Sequence, residues 1–371
     1  MEEARISGRI GLSVVHRAPR AAAELARLRY SSPDEPGLRR VRRGRGFAYE
    51  GPGGRRVSAR RTMARIRSLA IPPAWRDVWI CADPEGHLQA VGRDARGRKQ
   101  YRYHPRWRGV RDAAKYTRLA AFCRALPRLR RRVARDLDCD CLCKEKVVAL
   151  VVSLLERTQL RVGNDEYARA NDSYGATTLR DRHARVRGSA VELRFRGKGG
   201  KPYRVSLRDQ RMASLVRRCR DLPGQRLFQY VGADGRPTPV SSTDVNLYVR
   251  EASGGPFTAK DFRTWAATMV CATMLAGQRR ADSEAARRRE VRRTIERVAE
   301  QLGNTPTVCR KSYIHPAVID GYVAGGLPEP LVRAARALRG GLGSGSLARV
   351  EAAVGSYLER AAARASRSRS I

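Results

Sequence analysis

The hydrophobic period of this chain changes near residue 110, and the change separates two kinds of folding unit. From Tyr30 to about Arg108 the chain is rich in Gly, Pro and aromatic residues. Short alternating runs such as Phe47-Ala48-Tyr49 and Val78-Trp79-Ile80-Cys81 predict antiparallel strands, joined by turns such as Glu50-Gly51-Pro52-Gly53-Gly54. Beyond Val110 the period becomes helical. Lys144–Arg157 has apolar residues at 147, 148, 151, 154 and 155, which share one helical face. Helical patterning returns over Arg263–Gly277 and Ser283–Leu302. Between Arg157 and Arg263, Val191, Leu193 and Phe195 alternate, Gly197–Lys201 turns, and Tyr203, Val205 and Leu207 alternate again, which predicts a β-hairpin. The expected class is α+β: an extension over residues 1–23 containing an Ala-rich helical stretch, a small N-terminal mainly antiparallel β domain over 24–109, and a larger mainly α-helical domain over 110–338 with a small β-hairpin. A Gly/Ser link, a last helix and a basic tail follow over 339–371. No internal repeat is evident.

Charge sets the partner. Lys and Arg outnumber Asp and Glu by 76 to 36, a formal net charge of +40. That excess opposes compaction unless a polyanion offsets it, and nucleic acid is the expected partner. Because the charge is spread along the chain rather than on one amphipathic helix, a membrane surface is not expected. The longest strongly apolar run, Val147–Leu155, falls short of the ~20 residues that span a bilayer. Glu2, Glu3, Arg5 and Arg9 precede any long apolar run, which argues against a secretory signal. The expected setting is cytoplasmic, at the nucleoid, with the eight cysteines as free thiols. Cys139, Cys141 and Cys143 offer three ligands at a spacing unlike that of zinc sites, so a solvent-facing turn without metal is expected there.

The stretch Gly303-Asn304-Thr305-Pro306-Thr307-Val308-Cys309-Arg310-Lys311-Ser312-Tyr313 carries the chemistry. Gly303 fits a helix C′ position, Thr305 an N-cap and Pro306 the first helical position. Tyr313 then falls two turns into a short helix broken by Pro316. A tyrosine held among cations suits nucleophilic attack on phosphate, because phenolate is a better leaving group than a sugar alkoxide and the bond it forms is reversible. Guanidinium groups supply the electrostatics without metal or ATP. Arg161, in Gln159-Leu160-Arg161-Val162-Gly163-Asn164-Asp165-Glu166-Tyr167, follows an apolar helix; Arg263, in Lys260-Asp261-Phe262-Arg263-Thr264-Trp265, begins one.

Lysine is informative through rarity, at eight of the 76 basic residues. Lys198 and Lys201 both lie at the hairpin tip, where an ammonium able to lose a proton suits a general acid and guanidinium does not. A phosphate-contacting hairpin is the plainer alternative. The tip lacks the spacing of a P-loop, so no nucleotide cofactor is expected. Gln100-Tyr101-Arg102-Tyr103-His104 interleaves aromatic and basic residues, either to pack on DNA or to place tyrosines in the core of a sheet. Arg39–Arg43 and Arg128–Arg132 read as electrostatic footprint.

Together these segments resemble type IB DNA topoisomerases of the poxvirus-like and bacterial group. The likeness runs from about Tyr30 to beyond Pro316, with the motifs in the family's order. It implies the tyrosine recombinase/topoisomerase IB fold type and a monomer that clamps double-stranded DNA, with no cofactor and no metal. It implies Tyr313 as the nucleophile of a 3′-phosphotyrosyl link, Arg161 and Arg263 as transition-state donors, Lys198 as general acid and Lys260 in an accessory role. Gln100, Tyr101, Tyr103 and Tyr167 match DNA contacts. Poxvirus and nuclear members have histidine where this chain has Asn304; bacterial members resemble it in having Asn, which still donates a neutral hydrogen bond.

A tyrosine recombinase is the nearest rival. That family usually has His-x-x-Arg where this chain has Lys260-Asp261-Phe262-Arg263, and histidine at Asn304. A non-catalytic architectural DNA-binding protein accounts for the charge, but not for Tyr313, Lys198 and the two arginine motifs in order.

Overall fold

Five strands of the N-terminal unit pair antiparallel in the order β2-β1-β3-β4-β5. They are β1 (Gly37–Arg43), β2 (Gly46–Glu50), β3 (Arg76–Cys81), β4 (Leu88–Arg93) and β5 (Lys99–Tyr103), with the helices α1 (Pro19–Leu25) and α2 (Arg60–Ser68) beside them in sequence. The structure is a computed structural model describing residues 19–279, 281–339 and 344–367. Most of the expected N-terminal extension, residues 340–343 of the expected link and 368–371 of the basic tail lie outside the described residues. The chain divides into two compact units between Arg118 and Leu119.

In the first unit, period-2 alternation turns Leu38, Val78, Ile80 and Ala90 onto Ile66 of α2 and Trp75, forming one small core. Burying each large aliphatic chain stabilises this sheet by about 1.5–3 kcal/mol. A second cluster joins Ala22, Ala23, Ala26 and Leu28 to Trp107 and Ala114, with Tyr103 packed against it. The run Arg39–Arg43 is not purely a charged face. Arg40 turns onto the carbonyl of Pro72 at 3.1 Å and lies 4.2 Å from the Phe47 ring centroid.

The long helix α3 (Pro105–Leu137) leads to α4 (Lys144–Thr158), whose residues from Lys146 to Val152 are all buried. Next come α5 (Asp165–Asn171) and a three-stranded antiparallel sheet of β6 (Ala184–Arg187), β7 (Ala190–Arg196) and β8 (Pro202–Arg208). Phe195 pairs with Tyr203 across the expected hairpin. The helix α6 (Gln210–Arg220) and the short strands β9 (Gln229–Val231) and β10 (Pro237–Pro239) precede α7 (Ser242–Ser253). Then follow α8 (Ala259–Ala276), α9 (Glu284–Leu302), α10 (Pro306–Ser312), α11 (Pro316–Ala324), α12 (Glu329–Arg339) and α13 (Ser344–Arg367). The last helix therefore starts inside the segment read as a flexible link. One extended core unites α4, α8 and α9 with Val350, Val354 and Leu358 of α13. Arg130, from a run read as DNA footprint, instead bridges Glu156 at 2.7 Å and Glu351 at 2.7 and 2.8 Å, pinning α3 to α4 and α13.

Candidate active site

The site begins where α4 ends. Gln159 adopts left-handed φ/ψ of 53° and 27°, which stops the helix and leads through buried Leu160 to Arg161. The Arg161 backbone is then fixed from the other side. Its carbonyl accepts from Ala176 N at 2.8 Å, and the Val162 carbonyl accepts from Thr177 N at 2.7 Å and Thr177 Oγ1 at 2.9 Å. This approach requires Gly175, where a Cβ would lie 2.6 Å from the Arg161 carbonyl oxygen and from Gly163 N. Gly175→Val should therefore cost about 1–3 kcal/mol of stability by overpacking. It should also slow DNA cleavage by displacing Arg161. Thermal melting and a cleavage time course check both; unchanged melting would contradict the close approach.

Arg263 sits in the second turn of α8, a helix started by the reciprocal cap of Thr258 and Asp261. The residue is only 3% exposed. It donates to the Gln159 carbonyl and, at 2.8 Å, to the Leu302 carbonyl. One cation thus ties the end of α4 to the end of α9. The chain then leaves α9 through Gly303 at φ 62°, the left-handed C-cap predicted for it. Asn304 follows, and its Oδ1 accepts from Arg161 Nη2 at 2.5 Å. A guanidinium only donates, so the amide oxygen must face Arg161 and Nδ2 must point elsewhere. Asn304 Nδ2 and Arg263 Nε are both buried without a hydrogen-bond partner.

Tyr313 follows from the same punctuation. Thr305 accepts from Val308 N, Pro306 opens α10, and Tyr313 is the residue that ends it. It is therefore at the C-cap, not within the helix, and Pro316 opens α11 rather than breaking α10. Tyr313 N donates to Cys309 O at 2.9 Å. Thr268 Oγ1 donates to Tyr313 O at 3.1 Å and accepts from His315 N at 3.1 Å, anchoring this corner to α8. The Arg263 guanidinium carbon lies 5.3 Å from the Tyr313 ring centroid.

Electrostatically the cluster lacks an anion. Among the described residues, the hydrogen bonds of Arg161 and Arg263 all go to neutral oxygens. Burial, and next the charge of Arg263, push the Arg161 guanidinium below the ordinary arginine range. Two neighbouring cations without a carboxylate, plus two buried N–H donors without a partner, have the chemistry that suits a phosphate-like group. The nearest thiol is not a rival nucleophile. Burial pushes Cys309 up to about 11, so it stays protonated at neutral pH.

The structure thus brings Arg161, Arg263, Asn304 and Tyr313 together. It does not join the predicted lysines to them. Lys198 and Lys201 are exposed on the hairpin tip, and Lys260 is exposed in the first turn of α8. Tyr167 is half-buried in α5. In the other unit, Tyr101 is exposed and stacked with Tyr103, their centroids 6.0 Å apart, while Gln100 Nε2 donates to Asp94 Oδ2 at 3.0 Å. Three further supports of the site have no motif in the sequence analysis. Gln159 offers a backbone carbonyl and Thr268 a bridging hydroxyl. Tyr203 places its ring 3.4 Å from where a Cβ at Gly303 would stand, setting the base of the hairpin beside the site. Only Tyr203 left a signal, as an aromatic in the alternating run.

A family model described as eukaryotic DNA topoisomerase I, catalytic core, matches residues 104–323. A second, described as bacterial DNA topoisomerase IB, N-terminal domain, matches residues 46–94. The DNA topoisomerase 1B of Acanthamoeba polyphaga mimivirus is 33% identical over 265 residues, covering 70% of this chain and 79% of that protein. Among solved structures, the XerH site-specific recombinase bound to palindromic difH substrate in a post-cleavage complex is 15% identical, with a TM-score of 0.31 over 50% of this chain and 47% of that one. Its pre-cleavage complex is 14% identical, with a TM-score of 0.31 over 53% and 52%. The chain spans about half the length of those recombinase chains.

Proposed function

The chain belongs to the type IB DNA topoisomerases, and on that footing we propose that Tyr313 is the residue that cuts and reseals one strand of duplex DNA. The Tyr313 oxygen bonds to the scissile phosphorus and gives its proton to water as the bond to the 5′-oxygen breaks, and the departing 5′-oxygen takes up a proton. The strand is left joined through a 3′-phosphotyrosyl link. Arg161 and Arg263 meet the charge that builds on the non-bridging oxygens, and Asn304 Nδ2 supplies a neutral third donor. The duplex rotates, and the free 5′-hydroxyl attacks phosphorus to release the phenol. A phosphodiester is exchanged for a phosphodiester, so no ATP is consumed. The observation that carries this reading is the pair of guanidiniums whose hydrogen bonds go to neutral oxygens, with the Tyr313 ring centroid 5.3 Å from the Arg263 guanidinium carbon. Incubation with supercoiled plasmid in EDTA without ATP should give relaxed circles. A strict need for ATP or a divalent ion would contradict it.

Lys198 fills the general-acid role for the leaving 5′-oxygen. The hairpin tip is exposed and needs to bend toward bound DNA for that purpose. Lys198→Ala should slow cleavage of an ordinary 5′-oxygen but spare a 5′-thio leaving group, which departs without a proton. Equal losses on both substrates would remove Lys198 from that role. Lys260 is an accessory group at the start of α8. Tyr167, Lys201, Gln100, Tyr101 and Tyr103 contact DNA. No helix among the described residues is long and apolar enough to cross a membrane. The enzyme acts as a monomer on the nucleoid.

A further inference from the structure

The turn between α3 and α4 gathers three thiols. Cys139 and Cys141 Sγ are 3.2 Å apart, Cys143 and Cys139 Sγ are 3.5 Å apart, and all three sulfurs lie within 4.8 Å of one another. The spacing that reads as wrong for zinc in the linear sequence is corrected by the fold. The turn after α3 reverses the chain, so alternate residues face one point. Three thiolates around a zinc ion, with bonds of about 2.3 Å and tetrahedral angles, stand about 3.8 Å apart. The separations of 3.2 and 3.5 Å fall a few tenths of an ångström short of that value, a shift that side-chain rotation supplies.

Burial pushes the Cys143 thiol up to about 12, so a cation must displace its proton, and the charges around the turn bear on that exchange. Cys143 is the N-cap of α4, and its side chain makes no capping hydrogen bond. A thiolate there faces the positive end of a buried helix. Three cations hold the turn: Lys146 donates to the Cys139 carbonyl, Arg218 to the Asp140 carbonyl at 3.1 Å, and Arg211 pairs with Asp138 at 2.5 Å. These offset the negative charge of a trithiolate. Cys141 is exposed, which leaves a fourth coordination position open to water.

We propose that Cys139, Cys141 and Cys143 bind one thiophilic d10 cation of the zinc class, releasing their protons to solvent and stapling the α3–α4 turn. The site is separate from the candidate active site. It stands at the opposite end of α4, about 22 Å of helix from Gln159 at 1.5 Å per residue. The proposal is independent of the role given to Tyr313.

The full chain, stripped of metal and kept reduced with a phosphine, is titrated with Cd(II) while the ultraviolet thiolate-to-metal charge-transfer band is followed. The band should saturate at one cadmium per chain, and Zn(II) should bleach it by competition. Cys141→Ser should weaken cadmium binding roughly tenfold or more, because a ligand is lost. It should leave plasmid relaxation unchanged, which shows that the fold is intact. Replacing all three cysteines with serine should abolish the band. No band at equimolar cadmium overturns the proposal. So does a band of equal strength and affinity in Cys141→Ser, which would assign it to other thiols.

Discussion

Tyr313→Phe should bind supercoiled DNA as tightly as the parent chain, yet neither relax it nor become linked to it. The substitution removes one oxygen. The ring that lies 5.3 Å from the Arg263 guanidinium stays, as do the backbone bonds to Cys309 and Thr268. The scaffold should therefore survive, and the loss should be purely chemical. Removing the nucleophile of other covalent enzymes costs about 10⁶-fold, and a loss on that scale leaves no measurable relaxation. Gel-shift binding and a plasmid assay on the same preparation separate the two effects. Retained relaxation would send the search to another side chain. The nearby Cys309 is a poor alternative, since its thiol is protonated at neutral pH.

Arg263→Ala should be almost as damaging, for two reasons that can be separated. Loss of one preorganised donor costs about 10²–10³ in rate. The same guanidinium also serves the Gln159 and Leu302 carbonyls, and leaving buried polar groups unpaired costs about 1–3 kcal/mol of stability. Cleavage should therefore fall by at least the donor's share, with a lower melting temperature. Arg263→Lys should restore much of the charge but little of the rate. A single ammonium cannot span two carbonyls and a phosphate oxygen in one fixed plane. Single-turnover cleavage and thermal melting, measured side by side, check this. Full activity in the lysine variant would mean that charge alone suffices.

The parts of the fold that repeat a local rule were readable in the sequence. Phe47–Tyr49 and Val78–Cys81 lie in β2 and β3, and the Gly303-Thr305-Pro306 punctuation sets the end of α9 and the start of α10. The helix α2 was not readable. Its apolar contribution is little more than Met63 and Ile66, set among arginines within a Gly/Pro-rich stretch. The functions of individual arginines were also hidden. Arg40 and Arg130 look like their neighbours in sequence, and only the carbonyls and carboxylates brought to them by folding distinguish them. At the site, the side chains with motif-like surroundings were found. The Gln159 carbonyl and the Thr268 bridge were not, because a backbone oxygen and a helix-facing hydroxyl have no pattern of their own.

The orientation of Asn304 illustrates what geometry adds. The sequence allows an amide that either donates or accepts. Only the bond from Arg161 assigns its oxygen, leaving Nδ2 as the donor. Asn304→Asp would accept from Arg161 equally well and present a negative charge where the proposed mechanism seats phosphate. That makes it more harmful than Asn304→Ala.

The most direct measurement is the identity of the covalent joint. The chain is denatured with detergent during turnover on a labelled duplex, digested with protease and nuclease, and the nucleotide-bearing peptide is sequenced by mass spectrometry. The expected product is a peptide modified at Tyr313 through a 3′-phosphate. A nucleotide on any other residue, or one joined through its 5′-phosphate, would contradict the mechanism.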